Sequence, residues 1–345
     1  MTRSDRMLRA LLGAGLLLVA SPAIPRTAEA APRCFGKKPT IVGTGGRDVI
    51  RGTPRRDVIV ALGGRDMILG RAGHDLICAG GGNDTIRAKK GNDRINGGPG
   101  GDIAFGHSGD DELIGKGGGD ALIGGPGNDR MLGGQGFDVM VGGAGDDLYD
   151  GGGNPFDTAS FERSPVGVVV DLNVVAPQDT GEGLDTIVAT EGVAGSRFDD
   201  VLTGQDVPSA TGNGLFGLQG TDQLFGLDGD DVLEGGSGND RGGPGIGLLN
   251  GGAGNDFVFG QDGDDDLYGE AGNDVLDGFE GADFGSGGPD LDQCFDIETF
   301  DTPPPEELPP GDTCQPGAPR MRDLPRPAAR WMSIGAGVLE VAGRS

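Results

Sequence analysis

Aspartate stands at every ninth position from residue 48 to residue 147: Asp48, Asp57, Asp66, Asp75, Asp84, Asp93, Asp102, Asp111, Asp120, Asp129, Asp138 and Asp147. A second, worn series holds Asp222, Asp231, Asp240, Asp256, Asp265, Asp274 and Asp283, with Asp200, Asn213 and Asp292 at equivalent places and a degenerate Gly247. Carboxylates recurring at one interval beside glycines suit one chemistry above others, the sharing of divalent cations with backbone carbonyl oxygens.

If successive repeats alternate between two edges, aspartates eighteen residues apart become neighbours at the strand spacing of roughly 4.8 Å. Bare carboxylates at that distance repel by about 1 kcal/mol in a water-like medium and by several-fold more where solvent is partly excluded. A cation between each pair reverses the sign. Oxygen ligands in a flexible cage favour calcium over zinc or copper, and magnesium is disfavoured by its demand for tight octahedral geometry. Twelve turns, six to an edge, set a ceiling of about ten ions for the first array. Arg55 and the Lys89–Lys90 pair are expected to spoil a few of these sites.

The elements that must position the carboxylates are legible in the same repeat, Gly-Gly-x-Gly-x-Asp-x-apolar-x. Glycine at places one, two and four is expected to supply backbone angles closed to other residues, as a tight turn requires. Two positions after each Asp stand Ile50, Ile59, Ile68, Ile77, Ile86, Ile95, Ala104, Leu113, Leu122, Met131, Met140 and Tyr149. The x-apolar-x unit has the period of a strand with one face buried, so this column should point inward.

The copies Gly97-Gly98-Pro99-Gly100-Gly101-Asp102, Gly124-Gly125-Pro126-Gly127-Asn128-Asp129 and Gly142-Gly143-Ala144-Gly145-Asp146-Asp147 resemble the calcium-binding repeats of the RTX (haemolysin-type) family. The resemblance implies an all-β fold, a right-handed parallel β-roll (a β-solenoid), with several Ca2+ ions between turns stacked along each edge. It also implies two stacked arrays separated by an interlude of the kind that interrupts such repeats. By this reading residues 43–157 form the first array, 158–196 the interlude and 197–300 a second, degenerate array with a C-terminal cap. The interlude, from Asp157-Thr158-Ala159-Ser160 to the return Gly195-Ser196-Arg197-Phe198-Asp199-Asp200, reads as β-coils that lack calcium turns.

At the N-terminus Arg3, Arg6 and Arg9 precede the apolar run 11–20, and Ala28-Glu29-Ala30 offers a cleavage site before Ala31, the pattern of a secretory signal peptide over residues 1–30. That run is too short to span a bilayer, so no integral membrane segment is expected after cleavage. Residues 31–42 read as an N-terminal cap and 301–345 as a Pro-rich, extended tail. Residues 1–30 carry four Arg against Asp5 and Glu29, so their removal takes the formal charge from −27 to −29. So acidic a chain will not seek nucleic acid.

Four cysteines in an exported chain allow two disulfides and three pairings. The favoured one joins Cys34, before the first turn, to Cys78, at the outward ninth place of its repeat, which leaves Cys294 with Cys314.

Nothing in the chain looks catalytic. His74 and His107 are the only histidines, no His-Glu-x-x-His or Gly-x-Ser-x-Gly is present, and no separate segment is left to house an enzyme domain. The expectation is a secreted, extracellular calcium-binding protein whose folding is coupled to its metal. The alternative is an adhesion protein whose roll acts as a spacer toward a cell-surface or matrix partner.

Overall fold

The computed structural model describes residues 31–153, 156–206, 212–241 and 249–297, and the backbone alone of 314–316. All regular structure among the described residues is β-strand, arranged in sheets of 9, 14 and 6 strands. Repeats alternate between two facing sheets, so each strand pairs in parallel with the strand one full coil away. One sheet runs Ile50↔Ile68↔Ile86↔Ala104↔Leu122↔Met140 in register. The facing sheet runs Ile59↔Ile77↔Ile95↔Leu113↔Met131↔Tyr149. The chain is thus a parallel β-roll.

The apolar column is the core. These side chains form one continuous buried cluster, within which Ile59, Ile77, Ile86, Ile95 and Leu113 are fully shielded from solvent. Each large member buried contributes about 1.5–3 kcal/mol. Tyr149 is buried as completely, and its hydroxyl accepts the backbone N–H of Gly142 at 3.0 Å.

The interlude rearranges the stacking order on one side only. The 14-stranded sheet continues through Thr158–Ser160 and Gly192–Ala194 without a break. On the opposite side the next strand in sequence, Val169–Asp171, does not join the strand Leu148–Gly152. It starts the 6-stranded sheet by pairing with Val201–Thr203. Leu184–Val188 returns to pair with Leu148–Gly152, and Gln178–Asp179 folds back on it as an antiparallel edge. Phe161, Val168, Val170 and Leu172 carry the core across this exchange, with the Phe161 and Tyr149 rings 5.5 Å apart.

The second array departs from the sequence reading at one point. Gly247, expected as a worn rung, lies in 242–248, outside the described residues, and the ladder passes from Asp231 directly to Asp256. Leu224 pairs with Leu249, 25 residues on rather than 18, because the next described strand after Asp240 begins at Leu249. After Asp283 the core place falls to Gly285, and Ile297 fills the space. A Cβ on Gly285 would lie 3.0–3.2 Å from Ile297 side-chain atoms, and Ile297 packs on the main core as an end plug.

Cys34 and Cys78 are disulfide-bonded, closing a separation of 44 residues. Cys34 is buried with Val58, Val60 and Leu76, beside Phe35, whose ring lies 4.1 Å from the Arg94 guanidinium carbon. Loop-closure entropy for such a span is worth about 4 kcal/mol. The Cys34→Ser/Cys78→Ser variant is expected to melt several degrees below the parent with the first array affected most. Equal melting temperatures would show that the cap is held by packing alone. Cys294 is also disulfide-bonded. The side chain of Cys314 lies outside the described residues, though its backbone is registered beside Asp292.

The proposed leader, 1–30, and the tail, 301–345, lie outside the described residues apart from the backbone of 314–316. Among the described residues no helix is long and apolar enough to cross a membrane.

Candidate metal centre

The strands fix the spacing of the turns, and the turns fix the carboxylates. From the second rung of each edge in the first array, Oδ1 of the sixth-place Asp accepts the backbone N–H of the rung one coil earlier. Asp84 N–H donates to Asp102 Oδ1 at 2.8 Å and Asp102 N–H to Asp120 Oδ1 at 2.7 Å. One ladder runs through Asp48, Asp66, Asp84, Asp102, Asp120, Asp138 and Asp157. The other runs through Asp57, Asp75, Asp93, Asp111, Asp129, Asp147 and Asp185.

In the second array the ladders are Asp200, Asp222, Asp240, Asp265 and Asp283 on one edge. Asn213, Asp231, Asp256, Asp274 and Asp292 form the other. All nineteen aspartates read from the sequence as metal ligands therefore stand in a ladder.

The second carboxylate oxygen is different. Oδ2 is buried without a hydrogen-bond partner in Asp66, Asp75, Asp84, Asp93, Asp102, Asp111, Asp120, Asp129, Asp138, Asp147 and Asp157. The same holds for Asp222, Asp231, Asp240, Asp256, Asp265 and Asp274. Leaving one such acceptor unmet costs about 1–3 kcal/mol, and more when it is ionised. A row of them calls for something the polypeptide does not supply.

The electrostatics agree. Burial, with smaller repulsion from neighbouring rungs, pushes the carboxyls of Asp111, Asp120 and Asp147 up to about 8 against the hydrogen bond from the rung before. In the second array Asp222 and Asp256 also rise to about 8, for the same first cause. Burial disfavours the charged form of these carboxyls, and a neighbouring cation would favour it.

The glycines divide into two kinds. At places two and four the requirement is conformational, as at Gly98 (φ 110°) and Gly100 (φ 131°). A Cβ there would strike the carbonyl oxygens of Gly80 and Gly82 in the preceding turn, so these carbonyls are aimed along the edge into the next turn. At place one the requirement is space. A Cβ on Gly97, Gly106 or Gly115 would overlap Oδ2 of its own aspartate, and no positive φ is involved. The angle argument therefore holds for two of the three places. Place two even tolerates Arg71, Lys89, His107 and Lys116 at positive φ, each strained by about 1–2 kcal/mol.

Among the described residues no three His, Cys, Asp or Glu side chains converge on a point. A cation at these turns must therefore combine a carboxylate oxygen with backbone carbonyls. An unmet carboxylate oxygen beside carbonyls directed between stacked turns is a donor set that fits calcium.

Three features of the site escaped the sequence reading. Asp157 and Asp185 in the interlude are ladder rungs, which the broken register concealed. Fifth-place Asn and Asp side chains form a reciprocal ladder on the exposed side: Asp110 Oδ1 accepts Asn128 N–H and Asn128 Oδ1 accepts Asp146 N–H, both at 3.1 Å. The recurrence of Asn or Asp at residues 83, 92, 110, 128 and 146 was its visible signal. The third feature is that Oδ2 of Asp48, Asp57, Asp185 and Asp200 is held by protein donors. The two histidines stand apart from these oxygens: His74 Nδ1 lies 2.9 Å from Asn92 N, and the His107 ring stacks 5.9 Å from Phe105.

A family model described as RTX calcium-binding nonapeptide repeat (4 copies) matches residues 51–86, 79–113, 87–122, 123–154, 215–241, 241–276 and 259–293, together just over half of the chain. No curated protein matches the chain.

Proposed function

Because the chain belongs to the RTX calcium-binding nonapeptide repeat family, we propose that it is a secreted calcium-binding β-roll without catalysis of its own, in which loading the turns and folding the roll are one event. The observation that carries this reading is the row of buried Oδ2 atoms without partners. Such a row is stable as a set of cation ligands and costly as anything else. Asp66 to Asp157 and Asp222 to Asp274 would hold the ions together with turn carbonyls. Bound calcium supplies neutralising charge between turns.

Export through a cleaved leader is supported by the N-terminal pattern and by the Cys34–Cys78 disulfide, since disulfides persist in oxidising compartments. Protein recovered from the medium should begin at Ala31.

The direct test uses Asn, not Ala. Asn at 111 and 129 keeps an Oδ1 to accept the N–H of the rung before, preserving the ladder, while replacing Oδ2 with an amide nitrogen that cannot ligate a cation. Calorimetric titration of Asp111→Asn/Asp129→Asn should show about two fewer calcium ions and a midpoint raised several-fold. An unchanged ion count in a folded variant would remove these residues from the site.

A further inference from the structure

Four ladder aspartates do not share the unmet oxygen, and they lie where ladders begin or end: Asp48 and Asp57 open the two edges of the first array, Asp185 ends one of them, and Asp200 follows Val168 at the restart of the second. In three of the four, place two is Thr or Ser instead of Gly. Thr44 N–H donates to Asp48 Oδ2 at 2.6 Å and the Thr44 hydroxyl donates to the same oxygen at 3.0 Å. Thr53 repeats this on Asp57 at 2.6 and 3.0 Å. Ser196 N–H donates to Asp200 Oδ2 at 2.5 Å, and its hydroxyl donates to Oδ1 at 2.9 Å. At Asp185 the Thr180 hydroxyl donates to Oδ2.

The backbone of these turns differs from that of the others. In an ordinary turn the place-two residue has positive φ, and its N–H points away to the place-one carbonyl of the next turn, as from Gly80 to Gly97 O at 2.9 Å and from Gly125 to Gly142 O at 2.7 Å. Thr44, Thr53 and Ser196 do not adopt positive φ, and their N–H points instead at the aspartate. The hydroxyl also accepts the place-four N–H: from Gly46 and Arg55 at 3.2 Å, and from Phe198 at 3.0 Å. Place four in these turns is likewise free of positive φ. That is how Arg55 and Phe198 can stand where most turns keep Gly. A local hydroxyl-to-backbone turn has replaced the glycine turn.

We propose that the turns of Asp48, Asp57 and Asp200 are built without a cation, and that where place one is Gly the residue at place two decides between the two kinds of turn: Gly, or a residue at positive φ, leaves Oδ2 for calcium, whereas Thr or Ser supplies an N–H and an O–H in its stead. The turn of Asp185 falls outside this rule, because its place one is Thr180, whose hydroxyl takes Oδ2 although place two is Gly181. The inference rests on the calcium reading of the ordinary turns and refines which turns take part. Its consequence is directional. The N-terminal turns, beside the Cys34–Cys78 bridge, are complete before any ion arrives and offer a formed edge on which the first calcium-dependent coil can stack.

The test is the calcium count of the full chain, measured by equilibrium dialysis against calcium chloride, with circular dichroism confirming that each variant is folded when loaded. Thr44→Gly/Thr53→Gly should gain about one ion per altered turn, up to two. Thr44→Ser/Thr53→Ser should match the parent. In the opposite direction, Gly125→Thr, in the turn of Asp129, should lose about one ion although every carboxylate remains. An unchanged count in both Thr44→Gly/Thr53→Gly and Gly125→Thr, with calcium still bound by the parent, overturns the rule at place two alone. A parent chain that binds no calcium overturns the functional reading and this inference with it. Should Gly125→Thr fail to fold in calcium, the Thr44→Gly/Thr53→Gly count decides.

Discussion

Stripped of calcium at about pH 8, the purified protein should show little β signal in far-UV circular dichroism, and titration with calcium, but not magnesium, should restore it cooperatively. The magnitude follows from the ladders. Successive rungs at the strand spacing repel by about 3 kcal/mol per neighbouring pair at the effective dielectric of a partly buried site. Each unmet Oδ2 adds a desolvation cost of about 1–3 kcal/mol. Summed over more than a dozen rungs, these terms exceed the 5–15 kcal/mol by which domains are ordinarily stable. Cations between turns turn each repulsion into a bridge. Cooperativity follows because a coil contacts only its neighbours, so an ordered coil lowers the cost of ordering the next. A full β spectrum in chelator at that pH, unmoved by calcium, would sink the coupling of folding to metal.

The metal-free chain should instead be rescued by acid. In the folded, metal-free state burial holds Asp111, Asp120, Asp147, Asp157, Asp222 and Asp256 near 8, and Asp138 and Asp240 near 6. In the unfolded chain each titrates near its ordinary value of about 3.9. Between those limits the folded state binds more protons, so its stability falls as pH rises through the window and recovers as pH falls. A chelated sample brought from about pH 8.5 to about pH 5 should therefore gain β structure. Calcium competes for the same oxygens, so its binding should release protons, with a midpoint that rises as the solution is acidified. Dichroism across that range, with calorimetry in buffers of different ionisation enthalpy, reads both effects. Loss of structure on acidification, or calcium binding without proton release, would contradict the burial of these groups as anions.

The regular part of the fold was open to reading from the sequence because its period is local. Asp, Gly and the apolar column recur every nine residues, and the alternation of strands between two sheets that the RTX resemblance implies converts that interval into stacked edges. Where the period fails, so did the reading. Asp157 and Asp185 belong to ladders, but an extra residue before Asp157 and the hairpin of Gln178–Asp179 against Leu184–Val188 hide their phase. Gly247 looked like a worn rung because counting by nines reaches it. Leu224 pairs instead with Leu249, 25 residues on, and Asp231 is bonded to Asp256.

By itself the sequence determined that a carboxylate and an inward apolar side chain would recur in every turn, which follows from the repeat interval and residue type. The two sheets and two edges were implied by the resemblance to RTX repeats, and Cys34 with Cys78 was the favoured one of three pairings, which the structure contains. Only the tertiary structure decided what each carboxylate oxygen touches. Oδ1 belongs to the backbone of the coil before wherever a coil precedes, and Oδ2 belongs either to no group of the protein or to a Thr or Ser of its own turn. That choice depends on whether the place-two amide faces the aspartate or the next turn. The place-two residue is visible in the sequence, but the direction of its amide is seen only in the backbone φ of the turn and in the coil stacked against it.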